Sequence, residues 1–270
     1  MEFFFDYYFD FGLMGDQFSR VLDGFWITVK LSVFAGILSL LWGLVLAVVR
    51  QLPGRPLAPV RWLAIGYIDM FRGIPLLLVL FLVSGFMSSA VGDGTLPRAI
   101  GNPTWLGEGN YFWYGVIALT ITYGAYMAEV YRAGIEAVPA GQMEAARSLG
   151  MSHGQAMRQV VVPQAVNKVI PPLLNDFIAL MKDTSLVGVL GATEAVKAGT
   201  DIQTEFFNGS GLVLGALMFL VVTIPLARLV DVLIARQQRR TSRAGRSRPA
   251  QPSPGGAAGA AGAGGPGGPV

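Results

Sequence analysis

The stretch LSVFAGILSLLWGLVLAVV, residues 31–49, decides how this chain is read. It carries no charge and lies between Lys30 and Arg50. A helix needs about 20 apolar residues to cross a bilayer core of about 30 Å. Opened by Phe25 and Trp26, the stretch meets that length. Working outward, residues 73–92, 109–128 and 206–227 repeat the pattern. A further run, 170–191, is apolar but carries Asp176, Lys182 and Asp183, which reads as a span shielded by its neighbours. Trp26, Trp105, Tyr111 and Trp113 fall near span ends, where amphipathic rings settle. The expected fold is all-α: a polytopic membrane protein of five transmembrane helices.

Composition agrees. The chain has 270 residues, 53% hydrophobic and 14% charged, against about 25% charged in soluble domains. With Cys 0, disulfides, thiolate metal sites and cysteine nucleophiles are excluded. A serine triad would depend on His153 alone, since the chain has one His. No stretch reads GxxxxGK[ST], so the usual nucleotide cradle is missing. No catalytic residue, metal site or bound cofactor is expected.

The charge distribution orients the spans. With the N-terminus outside, the external segments 1–24, 93–108 and 191–211 hold only Arg20, Arg98 and Lys197 as basic residues. The internal segments 50–61, 132–169 and 228–270 hold fourteen, among them Arg50, Arg55, Arg61, Arg147 and Arg158. Basic residues collect on the cytoplasmic side. The sequence pI of about 9.3 is therefore a topological signal, and nucleic acid is excluded as a partner. Residues 1–23 form an acidic external segment without the basic start of a secretory signal. Residues 24–235 form the membrane domain. Residues 236–270, rich in Arg, Ser, Pro, Gly and Ala, are expected to be a disordered cytoplasmic tail whose basic root touches anionic lipid.

Two internal features stand out. As one helix, residues 60–91 would run about 48 Å, longer than the bilayer core is thick. Pro75 removes a helix hydrogen bond, so a break is expected at Arg72-Gly73-Ile74-Pro75. The second feature is the cytoplasmic loop 139–163. Pro139 suits a helix start, Gly150 a left-handed helix end, and Ser152 with Gln155 a capping box. Pro163 is expected to end the second helix or turn it into the next span. Met143, Leu149, Met157 and Val161 offer apolar knobs for another protein's groove.

At these residues a resemblance becomes specific. Glu144-Ala145-Ala146, then Gly150, then Val160-Val161-Val162-Pro163 resembles the EAA loop of bacterial ABC importer permeases. Val160 and Val162 depart mildly from the Ile and Leu of that pattern. Residues 72–76 (RGIPL), 128–134 (AEVYRAG) and 182–186 (KDTSL) look like its polar amino-acid branch, and the likeness covers roughly residues 20–235. The resemblance implies a type I permease fold in a bacterial inner membrane. It implies that Glu144, Ala145, Ala146, Gly150 and Ser152 couple to a separate ATP-binding subunit, which carries ATP and Mg. It also implies a second permease chain, the same or related, and an external substrate-binding protein. The cargo would be a polar amino acid, glutamate or glutamine by general likeness. The alternative is a secondary transporter or channel subunit not driven by ATP.

Ionisable residues at membrane depth are functional candidates by default. On a helix over 170–191, Asn175 with Lys182 and Asp176 with Asp183 are seven apart, so each pair shares a face. Asn175, Lys182 and Asp183, with Arg72 beside the break and Glu129 at the inner end of the third span, mark a candidate substrate path. Arg72 could grip an amino-acid carboxylate by its fork, and Glu129 or Asp183 could accept from the ammonium. The bland alternative is buried ion pairing that holds helices in register.

Overall fold

The computed structural model describes residues 2–52 and 54–246. Twelve α-helices are seen among them, with no strand. They are α1 (Glu2–Tyr8), α2 (Phe11–Asp16), α3 (Phe18–Arg50), α4 (Ala58–Gly73), α5 (Leu76–Gly92), α6 (Arg98–Gly101), α7 (Asn110–Glu136), α8 (Ala140–Ser148), α9 (His153–Ala156), α10 (Val162–Asp183), α11 (Ala195–Phe206) and α12 (Ser210–Arg246). The all-α expectation holds. By length and composition, α3 and residues 210–236 of α12 can each cross a membrane, and the bent pair α4–α5 passes the same test only when taken together, as a broken span or a re-entrant loop. The other two expected spans, α7 and α10, do not pass that test of length and composition.

Helix α7 is the centre of the bundle and touches α3, α4, α5 and α10. Its buried residues run from Phe112 to Gly134. Helix α3 buries the small residues Ser32, Ala35, Gly36, Ser39, Gly43 and Ala47, with Gly43 against α7 and Gly36 against Phe177 of α10. Small side chains let membrane helices approach backbone to backbone. At Gly43 a Cβ would lie 2.9 Å from the Gly124 carbonyl and 3.0 Å from the Ala128 nitrogen. Hydrogen bonds pin the same seam: Trp42 donates to the Tyr67 hydroxyl at 2.9 Å, and Tyr67 donates to the Ile121 carbonyl at 2.9 Å.

The expected break is present. Helix α4 ends at Gly73, α5 begins after Pro75, and the two are bent by 111°. Ile74 is extended, as the residue before a proline tends to be.

Two boundaries differ from the sequence reading, and one open alternative is decided. The last span begins at Ser210 rather than 206, because Phe207 turns left-handed (φ 50°) and Asn208 accepts from the Ser210 N–H. That helix runs on to Arg246, past the expected tail boundary at 236, since its Arg- and Gln-rich continuation still favours helix. The rest of the expected tail, 247–270, lies outside the described residues. Of the two outcomes expected at Pro163, the second holds: the chain turns there into the next span. Residues 157–161 form a π-turn in which Val162 donates to the Met157 carbonyl, and Pro163 falls in the first turn of α10, where a missing N–H costs little. The hairpin's second arm therefore continues into α10.

The N-terminal helices dock on the opposite end. Asp10 donates its N–H to Ser210 Oγ at 2.9 Å, and Gly209 donates to the Tyr7 carbonyl at 2.8 Å. Nearby, fully buried Glu194 caps α11, accepting from Val196 and Lys197 N–H groups at 2.8 and 2.7 Å. Burial pushes its carboxyl up to about 7, against the backbone bonds that favour the ionised form. Because the folded value exceeds the ordinary 4.5, this group's stability is fully present below about 4.5 and is lost as pH rises through about 7. The melting temperature of the detergent-solubilised protein is expected to carry a component that falls over that window and disappears in Glu194→Gln.

A second expectation concerns the seam. Gly43→Val overpacks the α3–α7 contact and should lower stability by about 1–3 kcal/mol. Gly66→Ala, whose Cβ meets nothing within 4 Å, should be neutral or slightly stabilising in the same melting assay.

Candidate functional site

A cavity of about 400 Å³ opens where the α4–α5 break meets α7 and α10. The broken helix supplies Arg72 through Leu76, α7 supplies Thr122, Tyr123 and Tyr126, and α10 supplies Asp176, Ala179 and Asp183. Local geometry explains the set. Tyr123 and Tyr126 are three apart on α7, and Asp176, Ala179 and Asp183 share one face of α10 at three- and four-residue spacing. Pro75 stops α4 so that its last turn presents Arg72 at the wall.

The polar groups are arranged. Tyr123 donates its hydroxyl to Asp183 Oδ2 at 2.7 Å. The Arg72 guanidinium lies 5.9 Å from the centre of the Tyr126 ring, and the Tyr126 hydroxyl donates to the Arg72 carbonyl at 3.3 Å. Thr122 Oγ1 and Asp176 Oδ2 are buried with no hydrogen-bond partner among the described residues. Orphaned polar atoms of this kind are costly unless a ligand or water satisfies them.

Of the residues named from sequence, Arg72 and Asp183 meet at this cavity. Asn175 and Lys182 do not line it; they lie on an exposed face of α10. Glu129 is likewise outside it. Its carboxylate is shared between Arg50 of α3, at 2.8 Å, and Arg132 of α7, which also pairs with Glu136. Those two cations hold its carboxyl below the ordinary carboxylate value. Glu129 thus ties α3 to α7, the register role weighed above. Sequence reasoning passed over Tyr123, Tyr126 and Thr122, and left Asp176 outside the candidate path. The seven-residue step from Asp183 back to Asp176 was the available signal.

The cytoplasmic hairpin is built as its residues dictate. Pro139 precedes α8, whose end is a Schellman turn: Gly150 N–H bonds the Arg147 carbonyl at 3.0 Å, and Met151 N–H bonds Ala146 at 3.2 Å. Gly150 takes φ 84°, a conformation that suits glycine. The capping box is complete: Gln155 N–H bonds Ser152 Oγ at 3.2 Å, and Ser152 N–H bonds Gln155 Oε1 at 2.8 Å. Ala146 faces inward, whereas Glu144, Ala145 and Leu149 are exposed, Leu149 at 84%. Of the four expected knobs, only Leu149 projects. Val161 is buried with Val138 and Ala165, and Met143 and Met157 pack on that cluster.

Comparison with known proteins gives consistent findings. The family described as "Binding-protein-dependent transport system inner membrane component" matches residues 39–243. A probable glutamine ABC transporter permease of Bacillus subtilis (strain 168) is 39% identical over 223 residues, covering 80% of this chain and 92% of that protein. A glutamate/aspartate import permease of Escherichia coli O6:H1 is 34% identical, covering 75% and 90%. An arginine transport permease of Bacillus subtilis is 32% identical, covering 80% and 91%. A crystal structure described as an amino acid ABC transporter with histidines superposes with TM-score 0.72 at 33% identity, over 84% of this chain and 98% of that one.

Proposed function

The chain belongs to the binding-protein-dependent transport system inner membrane component family, and on that premise we propose that it is the permease subunit of an ATP-driven importer of polar amino acids. It opens alternately to the two sides while a separate subunit binds ATP and Mg and hydrolyses the nucleotide. The observation that carries this reading is the cavity at the helix break, where one guanidinium and two carboxylates face a space sized for a small molecule. Pockets of roughly 300–1,000 Å³ with a few convergent polar groups are what small ligands use. Arg72 receives the α-carboxylate of the cargo, and the carboxylates of α10 receive its ammonium.

The hairpin supports the coupling role. Glu144, Ala145 and Leu149 present an exposed ridge, and Gly150 and Ser152 fix the turn behind it. This ridge docks on the ATP-binding subunit, and Ala146 anchors it to the bundle. The basic residues of the internal segments support a cytoplasmic hairpin and C-terminus with the N-terminus outside. Lys182 stands exposed on a single chain within an apolar run, a costly place against lipid. A second permease chain, identical or related, covers that face. An external binding protein delivers the cargo, and lipid surrounds the pair.

Two measurements test this. In the assembled complex, Gly150→Val should cut substrate-stimulated ATP turnover at least tenfold, since a left-handed β-branched residue costs roughly 1–2 kcal/mol or more and displaces Leu149. Arg72→Gln should lower amino-acid uptake at least tenfold with the ATPase still bound, as loss of a charge-assisted hydrogen bond of about 1.5–3 kcal/mol implies. Normal uptake by both variants would refute the reading.

A further inference from the structure

Helices α1 and α2 lie ahead of the stretch matched by the family, which begins at residue 39, and they have no part in the proposed transport. They are nonetheless fixed in place at the α11–α12 corner. Gly209 donates its N–H to the Tyr7 carbonyl at 2.8 Å, and Asn208 Nδ2 donates to the Asp6 carbonyl at 3.1 Å. Asp10 donates its N–H to Ser210 Oγ at 2.9 Å, and Gln203 Nε2 donates to the Tyr7 hydroxyl at 3.0 Å. Gly209 has no room for a side chain, because a Cβ there would lie 2.6 Å from the Tyr8 ring. On α2, Met14 is buried with Val21, Ile202 and Leu214.

The tyrosines and Met14 thus hold the segment to the bundle, whereas the phenylalanines are left outside. Phe3, Phe4, Phe5, Phe9, Phe11 and Phe18 are all exposed, Phe3 at 81% and Phe11 at 78%. The rings of Phe4, Phe5 and Phe9 cluster, with centres 5.8 to 6.4 Å apart. A contiguous apolar patch of this kind marks a contact surface. Asp6 is exposed too, and it stands two residues on from Phe4, about half a turn around α1. The helix therefore has a ring side and a charged side.

Position decides what covers the rings. Gln17 alone separates α2 from α3, and the segment is bonded to the first residue of α12. Among the described residues, α3 and residues 210–236 of α12 are long and apolar enough to cross a membrane by themselves. Both begin at this end, so the patch lies at the level where hydrocarbon gives way to headgroups. Helices with rings on one side and charge on the other settle there, about 5–10 Å into the headgroup and acyl boundary. The apolar surface continues along α3, where Phe18, Leu22 and Trp26 are exposed at four-residue steps. Interfacial helices commonly add Lys or Arg that grip anionic headgroups. Here no basic residue precedes Arg20, and Arg20 is paired with Glu205 at 2.6 Å. The rings alone must seat the segment.

We propose that α1 and α2 form a lipid-seated collar. Its phenylalanines enter the bilayer at the headgroup and acyl boundary, and its aspartates stay in water. Its bonds to Asn208, Gly209 and Ser210 hold the end of the last span at a fixed depth. The attachment is apolar, so salt does not loosen it.

The chain has no cysteine, so a single introduced thiol carries a nitroxide spin label without background. Phe4→Cys, Phe11→Cys and Asp6→Cys are labelled one at a time in the full chain, reconstituted in vesicles of phosphatidylcholine and phosphatidylglycerol. All three side chains are exposed, so their replacement leaves the core intact. Collision of the label with dissolved oxygen, which concentrates in lipid, is compared with collision with a water-soluble nickel chelate. Labels at 4 and 11 should meet oxygen several-fold more often than nickel, and the label at 6 the reverse, at low and at high salt alike. Nickel-dominated collisions at 4 or 11 overturn the proposal, since the rings then stand in water. Shielding of those positions from both reagents also overturns it, since protein then covers the patch. So does a shift from oxygen to nickel at high salt, because charge then holds the segment.

Discussion

A helix broken at membrane depth frees backbone groups that hydrocarbon cannot satisfy. The break must therefore face protein or water. Pro75 imposes this constraint on the α4–α5 pair, and the bundle answers it by turning the break toward α7 and α10. The cavity follows from that one requirement. A 111° bend cannot be filled by straight neighbours, and the residues next to it are those able to hydrogen-bond: Arg72, Tyr126 and the α10 aspartates. The Tyr126 hydroxyl on the Arg72 carbonyl is one repair of the damage that the proline causes.

The opposite strategy holds the rest of the bundle together. Along α3 and α7 no backbone group is freed, and stability comes from the closeness of the two axes. Gly43 admits the α7 backbone at Gly124 and Ala128, Gly124 seats Trp42, and on the adjoining side Gly36 seats Phe177 of α10. The Glu129–Arg50 ion pair closes this seam beyond the apolar zone, where part of its desolvation cost is relieved by exposure. Charge thus serves two ends in one chain. At Glu129 it is neutralised within the fold, and at the cavity it is left in excess.

These two uses explain what could be read from the sequence. Features set by a few neighbouring residues were legible: the apolar runs, the break at Pro75, the Gly150 turn and the Ser152–Gln155 capping box. Each depends on local backbone chemistry. The choice between two adjacent faces of α10 was not legible. Asn175 with Lys182 and Asp176 with Asp183 have the same spacing, and only the position of Tyr123, sixty residues away in sequence, turns one pair inward. Glu129 was assigned to the path for the same reason: its partner Arg50 is 79 residues distant. Pro163 left two outcomes open because its effect depends on the register of the hydrogen bonds before it. In the π-turn at 157–161 that register has already shifted.

That shift has a structural consequence. Had Pro163 ended a helix, the cytoplasmic hairpin would hang from the bundle by a loop, and motion at Leu149 would dissipate there. The π-turn instead makes α9 and α10 one nearly continuous helical rod, from the capping box at Ser152 to Asp183, about 45 Å long. Asp176 and Asp183 sit on its far part, and the turn held by Gly150 sits at its near end. On the proposed reading, force from nucleotide hydrolysis enters at the hairpin and reaches the carboxylates of α10 through this one stretch of helix, which carries Pro171 and Pro172 in its course. Where α10 packs on α7, Val169 seats over Gly134, so the rod is interlocked with the centre of the bundle there.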